Sequence, residues 1–574
     1  MKSLVWQHLP CNDEAAAALG AALDLHPVVS RLLCLRGLDT PELAAQFLNP
    51  SLEHLHDPLR LTDMGRAVER LEQAIARGER IAIHGDYDVD GITSTVILRR
   101  ALEMLGGTVG HFIPERIRDG YGLQPAAIER LHADGVHVIV SVDCGIRGME
   151  AARRARELGL DLIITDHHEP DGCLPPALAV INPKRLDCSY PDKHLAGVGV
   201  ALKLVQALCH RAGRSRWLPA FVKVAALGTL ADVVPLVGEN RVIARLGLAS
   251  LSRGPHTVGL RALLDASGLT GRTIDSYQVA FMLAPRVNAA GRMSTPDIAT
   301  RLLLATDEAM ADEARALALL LNDENLRRQA EEAELVAQAR RSIETDPAVG
   351  AHNVLVVGGE SWHRGVIGIA ASKLVDAYHK PAIVLSVDGD IAHGSCRSIP
   401  DFDMLGALEQ CADLLARFGG HRQAAGLTME AARVPEFRAR INAHADSVLE
   451  PDQLRPRLRI DAPLTLRGIT PDLVRGLDAL GPFGLANPRP VFHAHPVEIV
   501  EGPTALKERH LRMTFSQEGR KFRAIAWRAA ERADFLERHR HGVNLAFSLD
   551  RNEYQGETYL QLSVADIKPL EDVQ

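Results

Sequence analysis

The run Arg80-Ile81-Ala82-Ile83 passes directly into His84-Gly85-Asp86-Tyr87-Asp88-Val89-Asp90-Gly91. Three carboxylates at alternate positions repel one another and are costly to desolvate. A chain that places them at the end of a buried strand must therefore supply something that holds them together. A hard divalent cation does this, and an oxygen-rich set selects Mg²⁺, Mn²⁺ or Ca²⁺ over a structural zinc. The stretch also matches the opening of a helix-loop-helix calcium site. That pattern needs a bidentate glutamate at its twelfth position, where this chain has Ile97, and a helix in front, where it has a strand.

From about residue 66 to 250 strand and helix patterns alternate. The spacing predicts strands at 80–84, 109–113, 136–142, 160–165 and 178–182, with helices at 91–105, 125–133 and 149–158 between them. Near-continuous Val/Ile runs at this interval give a parallel sheet covered on both faces. The first strand ends in the acidic run, the third runs into Asp143-Cys144-Gly145, and the fourth into Asp166-His167-His168. All three groups fall at carboxyl ends of parallel strands, the crevice where open α/β sheets bind ligands. Asp232, closing the apolar run Leu227-Gly228-Thr229-Leu230-Ala231, is a fourth member.

Asp88, Asp90, Asp143, His167 and Asp232, with Asp86 and His168 close by, exceed what one octahedral ion can use. They point to two ions about 3.5–4 Å apart, the usual device for in-line displacement at phosphorus. Carboxylates mixed with imidazole lean towards Mn²⁺ over Mg²⁺. Asp88 and Asp143 then sit at the reacting centre, and His168 is placed to donate to the phosphate or protonate the leaving group.

These residues resemble the DHH phosphoesterase family. Asp166-His167-His168 matches its signature, and Asp86-Tyr87-Asp88-Val89-Asp90, Ser141-Val142-Asp143 and Gly228-Thr229-Leu230-Ala231-Asp232 look like its other motifs in order. The resemblance implies metal ligands at Asp86, Asp88, Asp90, Asp143, His167 and Asp232, and a phosphate-facing His168. His84 matches a metal-binding histidine of related pyrophosphatases, with Asp86 as the alternative ligand.

Beyond the sheet, Arg286 and Arg292 flank a small-residue turn suited to gripping phosphate. The stretch 297–346 holds neither Gly nor Pro and predicts one long helix, or two joined near Asn322–Asn325, as a strut between domains. A second α/β unit follows, with strands at 353–358 and 382–386 around a helix at 368–377. The runs His393-Gly394-Ser395-Cys396-Arg397 and Gly419-Gly420-His421 resemble the DHH-associated domain, which implies substrate contacts at Ser395, Arg397 and His421. From about 455 short strands recur at 458–461, 491–500, 510–516, 521–527, 543–549 and 559–564, suiting an OB-like β-barrel. There Phe522, Trp527 and Tyr554 could stack bases, and Lys507, Arg509, Arg512, Lys521 and Arg523 could follow phosphates.

The expected organisation is a lead-in over 1–60, a DHH-type parallel-sheet α/β domain over 61–250, and a long helical connector over 251–345. A smaller α/β (DHH-associated) domain over 346–450 and an OB-like barrel over 451–574 complete it. A chain of 574 residues is too long for one core. Net charge −8 rules out a general polycation, so nucleic acid must meet a local basic surface. Eight scattered cysteines without a Cys-x-x-Cys pair read as buried thiols, and the start carries no signal-peptide core, so a cytoplasmic protein without a membrane span is expected.

This domain order is similar to the single-strand-specific exonucleases within the family. It implies release of 5′-mononucleotides from a 5′ end of single-stranded DNA in recombination and repair. It also makes Arg116, beyond the second strand, a candidate with Arg286, Arg292, Ser395 and Arg397 for the terminal phosphate and following backbone. Single-strand-binding protein and a helicase are the candidate protein partners, with a monomer as the default. Two rivals stay open: a phosphodiesterase of short oligonucleotides or cyclic dinucleotides, and a non-catalytic DNA-binding scaffold.

Overall fold

The computed structural model describes residues 4–115, 120, 122–554 and 557–570, without the side chains of 553–558. Arg116 and the side chain of Tyr554 lie outside the described residues. Among the described residues no helix is long and apolar enough to cross a membrane.

Five parallel strands form the first sheet, in the order Thr108–Phe112, Arg80–Gly85, Val138–Val142, Asp161–Thr165, Ala179–Ile181. The alternation along each strand sorts side chains to two cores. Ile81, Ile83, Val138 and Val140 face the helices Met64–Arg77, Val89–Met104 and Gly197–Arg211, while Ala82, Ile139 and Ile164 face Pro125–Ala133 and Met149–Glu157. Strand order reverses between Arg80–Gly85 and Val138–Val142. A crevice opens at such a switch point, here beside Asp86 and Asp143.

The Gly- and Pro-free stretch is two helices, Asp297–Leu304 and Ala311–Thr345, and the break falls earlier than the sequence suggested. Ala305 turns extended, and Asp307 accepts from the Ala309 N–H (3.1 Å) to start a short 3₁₀ turn before the second helix. Asn322 stays helical because its Oδ1 accepts from Arg286 Nε at 3.2 Å, so it does not compete for backbone groups. At 35 residues the second helix runs about 50 Å. Ala314, Leu317, Ala318 and Leu321 of its first half belong to the core of the first unit. Leu335, Val336, Ala339 and Ile343 of its second half belong to the core of the next. One helix thus fixes the distance between two cores.

In the second unit Leu355–Glu360 and Ala382–Asp388 are parallel, and Ile391–Arg397, Ala424–Glu430 and Leu415–His421 continue the sheet antiparallel. The C-terminal barrel closes through Phe492–Leu506, His510–Gln517, Arg520–Ala526, Glu557–Pro569 and Val543–Tyr554, the last pairing back to the first. The strand expected at 458–461 is not part of it. Arg457–Ile460 instead pairs in parallel with Val5–His8, across some 450 residues of sequence. The N-terminal stretch is likewise more than a lead-in: Leu19, Val29, Leu32, Leu33, Ala44 and Phe47 share the barrel's hydrophobic core.

Arg241, on the helix Gly238–Arg253 of the first unit, ties this composite to that unit. Its guanidinium lies 3.5 Å over the Phe47 ring and donates to the carbonyls of Phe47, Ala479, Leu480 and Gly481 at 2.7–3.0 Å. Its partners there are carbonyls rather than a carboxylate, and burial pulls its pKa down to about 9. Replacing it by leucine leaves several buried carbonyls unsatisfied. Arg241→Leu should cost about 3 kcal/mol at this junction, read in calorimetry as an earlier unfolding transition for the barrel and N-terminal helices.

Candidate active site

Each acidic member is positioned by backbone rather than by a basic partner. Asp88 caps the helix Val89–Met104, its Oδ1 accepting from the N–H groups of Asp90 (2.9 Å) and Gly91 (3.1 Å). Asp90 lies buried in the first turn of that helix, and its two oxygens accept from Gly197 (2.7 Å) and Val198 (2.8 Å), which open the helix Gly197–Arg211. Asp86 accepts from Tyr87 N–H at 2.8 Å. Asp143 follows its strand in the left-handed region, φ 59°, which aspartate tolerates better than most residues. A β-carbon at Gly197 would stand 2.4 Å from Asp143 Oδ1, so this close approach of helix to carboxylate needs glycine. Asp232 closes the helix Leu218–Ala231 and delivers its carboxylate from the far side.

These placements bring ligand atoms into three overlapping groups, each within 4.8 Å: Asp86, Asp88 and Asp143; Asp90, His167 and Asp232; and Asp143, His167 and His168. His167 Nε2 stands 3.2 Å from Asp143 Oδ1, 3.5 Å from Asp232 Oδ2 and 3.9 Å from Asp90 Oδ2. None of these contacts is a hydrogen bond. His167 Nε2, Asp143 Oδ1 and Asp232 Oδ2 are all buried without a hydrogen-bond partner. Three such atoms aimed at one point fit a cation, which would satisfy them together. His84 lies outside these groups. It is fully buried, and its Nδ1 lies 3.6 Å from Cys144 Sγ.

Burial, followed by the neighbouring Asp88 charge, pushes Asp86 up to about 8 and Asp90 up to about 7. Burial and the Asp90 carboxylate also raise Asp143 and Asp232. Burial and then His168 hold His167 down to about 3, leaving it neutral and fit to ligate. Burial opposes charge on His168 as well, but Asp166 more than offsets it through a 2.7 Å contact to Nδ1, so its pKa is raised. Asp166, which the sequence reading left without a role, organises this corner. Its oxygens accept from the N–H groups of Ile146 (2.9 Å), His167 (2.7 Å) and His168 (3.1 Å), and the carboxyl is held at about 2 against the pull of burial. Its position between strand and histidine pair was the available signal. Nothing in the sequence marked Asn182, whose side chain donates to the His168 carbonyl at 2.9 Å.

Tyr87, Gly145, Arg147, Asp166 and His168 form one wall of a cleft of about 800 Å³. The facing wall comes from the second unit. Ser395 and Arg397 line it from one strand, with Arg397 Nη1 3.3 Å from Ser395 Oγ, and His421 lines it from another. The stretch around Arg286 and Arg292 corrects the expected turn: Ala284–Met293 is a helix, with Pro285 in its first turn. This helix braces the acidic loop. Asn288 Oδ1 accepts from Val89 N–H at 3.1 Å, and a β-carbon at Gly291 would stand 2.5 Å from the Tyr87 carbonyl. Arg286 turns to the Met282 carbonyl and Asn322, while Arg292 donates to the Gly365 carbonyl (3.0 Å) and so links the two walls. On the barrel, Arg512, Lys521 and Arg523 are exposed on one outer face, Trp527 is exposed, and Phe522 is half-buried against the core.

Family models match three segments: the DHH family N-terminal domain over residues 80–229, the DHHA1 domain over 351–446, and the RecJ OB domain over 460–566. The single-stranded-DNA-specific exonuclease RecJ of Bacillus subtilis (strain 168) is 37% identical over 565 residues, covering 98% of this chain and 70% of that protein. A crystal structure of RecJ from Thermus thermophilus in complex with Mn²⁺ matches with a TM-score of 0.84 at 33% identity, covering 99% of this chain and 80% of that one. The Mg²⁺ complex from the same source matches at 0.78 and 32%, covering 98% and 78%.

Because carboxyls with raised pKa values are partly protonated at neutral pH, a bound cation must displace those protons. Charging them costs the metal-free fold stability as pH climbs past their ordinary values towards 8. The Mn²⁺-induced rise in unfolding temperature should therefore grow from pH 6 to pH 8, and calorimetric titration in two buffers should show proton release on binding.

Proposed function

The chain belongs to the RecJ family of single-stranded-DNA-specific exonucleases, and we propose that it hydrolyses single-stranded DNA from the 5′ end, releasing 5′-mononucleotides in recombination and repair. The observation that carries this reading is the convergence of three unpartnered buried polar atoms on one point, beside a cleft whose second wall holds Arg397 and His421. In this reading Asp90, His167 and Asp232, with Asp143 Oδ1, would hold one Mn²⁺ or Mg²⁺ ion, and Asp86 and Asp88, also with Asp143, would hold the other. Ions held there would supply an activated water and charge stabilisation for in-line displacement at phosphorus.

The chain's own residues do the rest. Asp166 favours the charged form of His168 and fixes its ring at the cleft wall, where a phosphate oxygen or leaving oxygen can take its hydrogen bond. Ser395, Arg397 and His421 approach from the opposite side and grip the strand's phosphates, with Arg286 and Arg292 as further candidates. The cleft lies between two walls with room for the end of a strand. The exposed basic face of the barrel follows the strand beyond the cleft. A helicase and single-strand-binding protein are the partner classes that would present such a strand, and the working assignment is a cytoplasmic monomer.

End-labelled single strands of several tens of nucleotides test this directly. Labelled mononucleotide should appear at once from the 5′ label with Mn²⁺ or Mg²⁺, not in EDTA, and slowly from blunt duplex. Release first from the 3′ label, or cleavage confined to fragments of a few nucleotides, overturns the proposal. Asp88→Ala and His167→Ala should lower turnover by roughly 10³-fold or more, with strand binding retained. Asp166→Asn, which touches His168 and no ion, should cost about 10–100-fold.

A further inference from the structure

A second basic system sits beside the acidic cluster. Lys184 follows the last strand of the first sheet, in Asn182-Pro183-Lys184-Arg185. Its charge reaches His167 and Asp232 in the cluster and His421 on the opposite wall. The backbone beneath it is fixed. Asn182 is buried, accepts from Lys184 N–H at 2.8 Å and donates to the His168 carbonyl at 2.9 Å, so one amide sets both residues. On the other flank buried Arg185 is pinned by Asp63 and Asp187 at 2.7–2.9 Å, and Lys193 Nζ donates to the Pro183 and Cys188 carbonyls, each at 2.7 Å.

The tip of Lys184 is held differently. It pairs with Glu169 at 3.2 Å, a carboxylate 64% exposed on the loop that follows the histidine pair. The same loop holds a second cation of the cleft, since Asp171 pairs with Arg147 Nε at 3.3 Å and the Glu169 carbonyl accepts from Arg147 Nη2 at 3.3 Å. Ion pairs whose carboxylate stands in water are worth about 1 kcal/mol, so an incoming phosphate can exchange for the carboxylate at small cost. A rigid base under an exchangeable tip is what a substrate contact needs, and a purely structural ion pair has no use for it.

Resting on the exonuclease reading above, we propose that Lys184 binds a phosphate of the strand at the metal site, and that Glu169 occupies it until the strand arrives. Asn182 is the positioning residue that keeps this lysine in register with His168. Arg147 and Asp171 form a parallel pair on the same loop.

Equilibrium binding separates this from a structural role. A 5′-phosphorylated, fluorescent oligothymidylate would be titrated in EDTA at several salt concentrations, so that no turnover intervenes. Lys184→Gln should weaken binding about fivefold and make the slope of log K against log salt shallower by about 0.7, the value of one lost contact on a single strand. Lys184→Arg should recover most of the affinity. Glu169→Gln should tighten binding about two- to threefold in the parent protein and leave it unchanged in the Lys184→Gln background. Parental affinity and slope in Lys184→Gln overturn the proposal, as does equal tightening by Glu169→Gln in both backgrounds. Failure of the parent protein itself to bind or digest the strand overturns the exonuclease reading instead.

Discussion

Buried negative charge is the constraint to which the rest of the structure answers. Two unit charges about 4 Å apart repel by roughly 4 kcal/mol at the effective permittivity of a partly buried site. Here Asp86, Asp90 and Asp143 are almost wholly buried around one point with Asp232 beside them, and no arginine or lysine forms an ion pair with any of them among the described contacts. The fold holds them by other means. Helix N-termini and loop amides donate to Asp88 and Asp90, the pKa values of Asp86, Asp90, Asp143 and Asp232 rise, and three ligand atoms are left for a cation. Basic side chains are kept one layer out, on Lys184, Arg147 and the facing wall. A lysine among the carboxylates would compete with the metal; a lysine beside them can meet the substrate.

Such a site needs its two walls at a fixed separation, and the helix Ala311–Thr345 supplies this by belonging to both cores. Its middle turns are buried yet polar. Arg328 donates to Glu332 at 2.5 Å and to Asn325 at 3.0 Å, and Lys373 from the second unit closes on the same Glu332. Breaking that network would leave charge buried without a partner, so the helix resists bending where the two units meet. In the core of the first unit Lys203 plays a similar part. It is fully buried, pairs with Glu239 at 2.8 Å and donates to the His56 carbonyl, while Tyr190 donates to the second Glu239 oxygen. The segment before the first sheet is thus tied down through a lysine as well as through the buried Leu55 and Leu61.

Local chemistry was legible in the sequence to the extent that local rules govern it. The parallel sheet followed from alternating Val/Ile runs, and the cluster from polar residues at strand ends, because side-chain period and the switch-point crevice both act over a few residues. The helix break was misplaced because Asn322-Asp323-Glu324-Asn325 looks like a stop, and only the contact from Arg286 makes Asn322 a helix residue. Ala284–Met293 looked like a turn because its small residues serve close packing on Tyr87 rather than flexibility. The pairing of Val5–His8 with Arg457–Ile460 lay beyond any local signal, as did the sharing of the barrel's core by Leu32 and Phe47. Asn182 was invisible for the same reason, since an amide after a strand acquires meaning only through the two backbones it joins.

Net charge and local field also part company here. The chain carries −8 overall, yet its cleft sets arginines and histidines against an acidic floor. A polyanion meets repulsion at the bare cluster itself, so catalysis depends on cations that are not part of the polypeptide, while binding rests on the basic side chains around it. With ions in place the floor's excess negative charge falls, and the same phosphate is drawn from both sides. The acidic loop after His168 fits this division. By holding Lys184 and Arg147 through weak, exposed pairs, it keeps positive charge from collapsing onto the carboxylates when the cations are absent, at an energy small enough for a strand to displace. Selectivity for a polymer end over free phosphate then rests on geometry. In the proposed reading the cleft takes the strand's end and the barrel's basic face takes the strand beyond it, an arrangement suited to a flexible single strand.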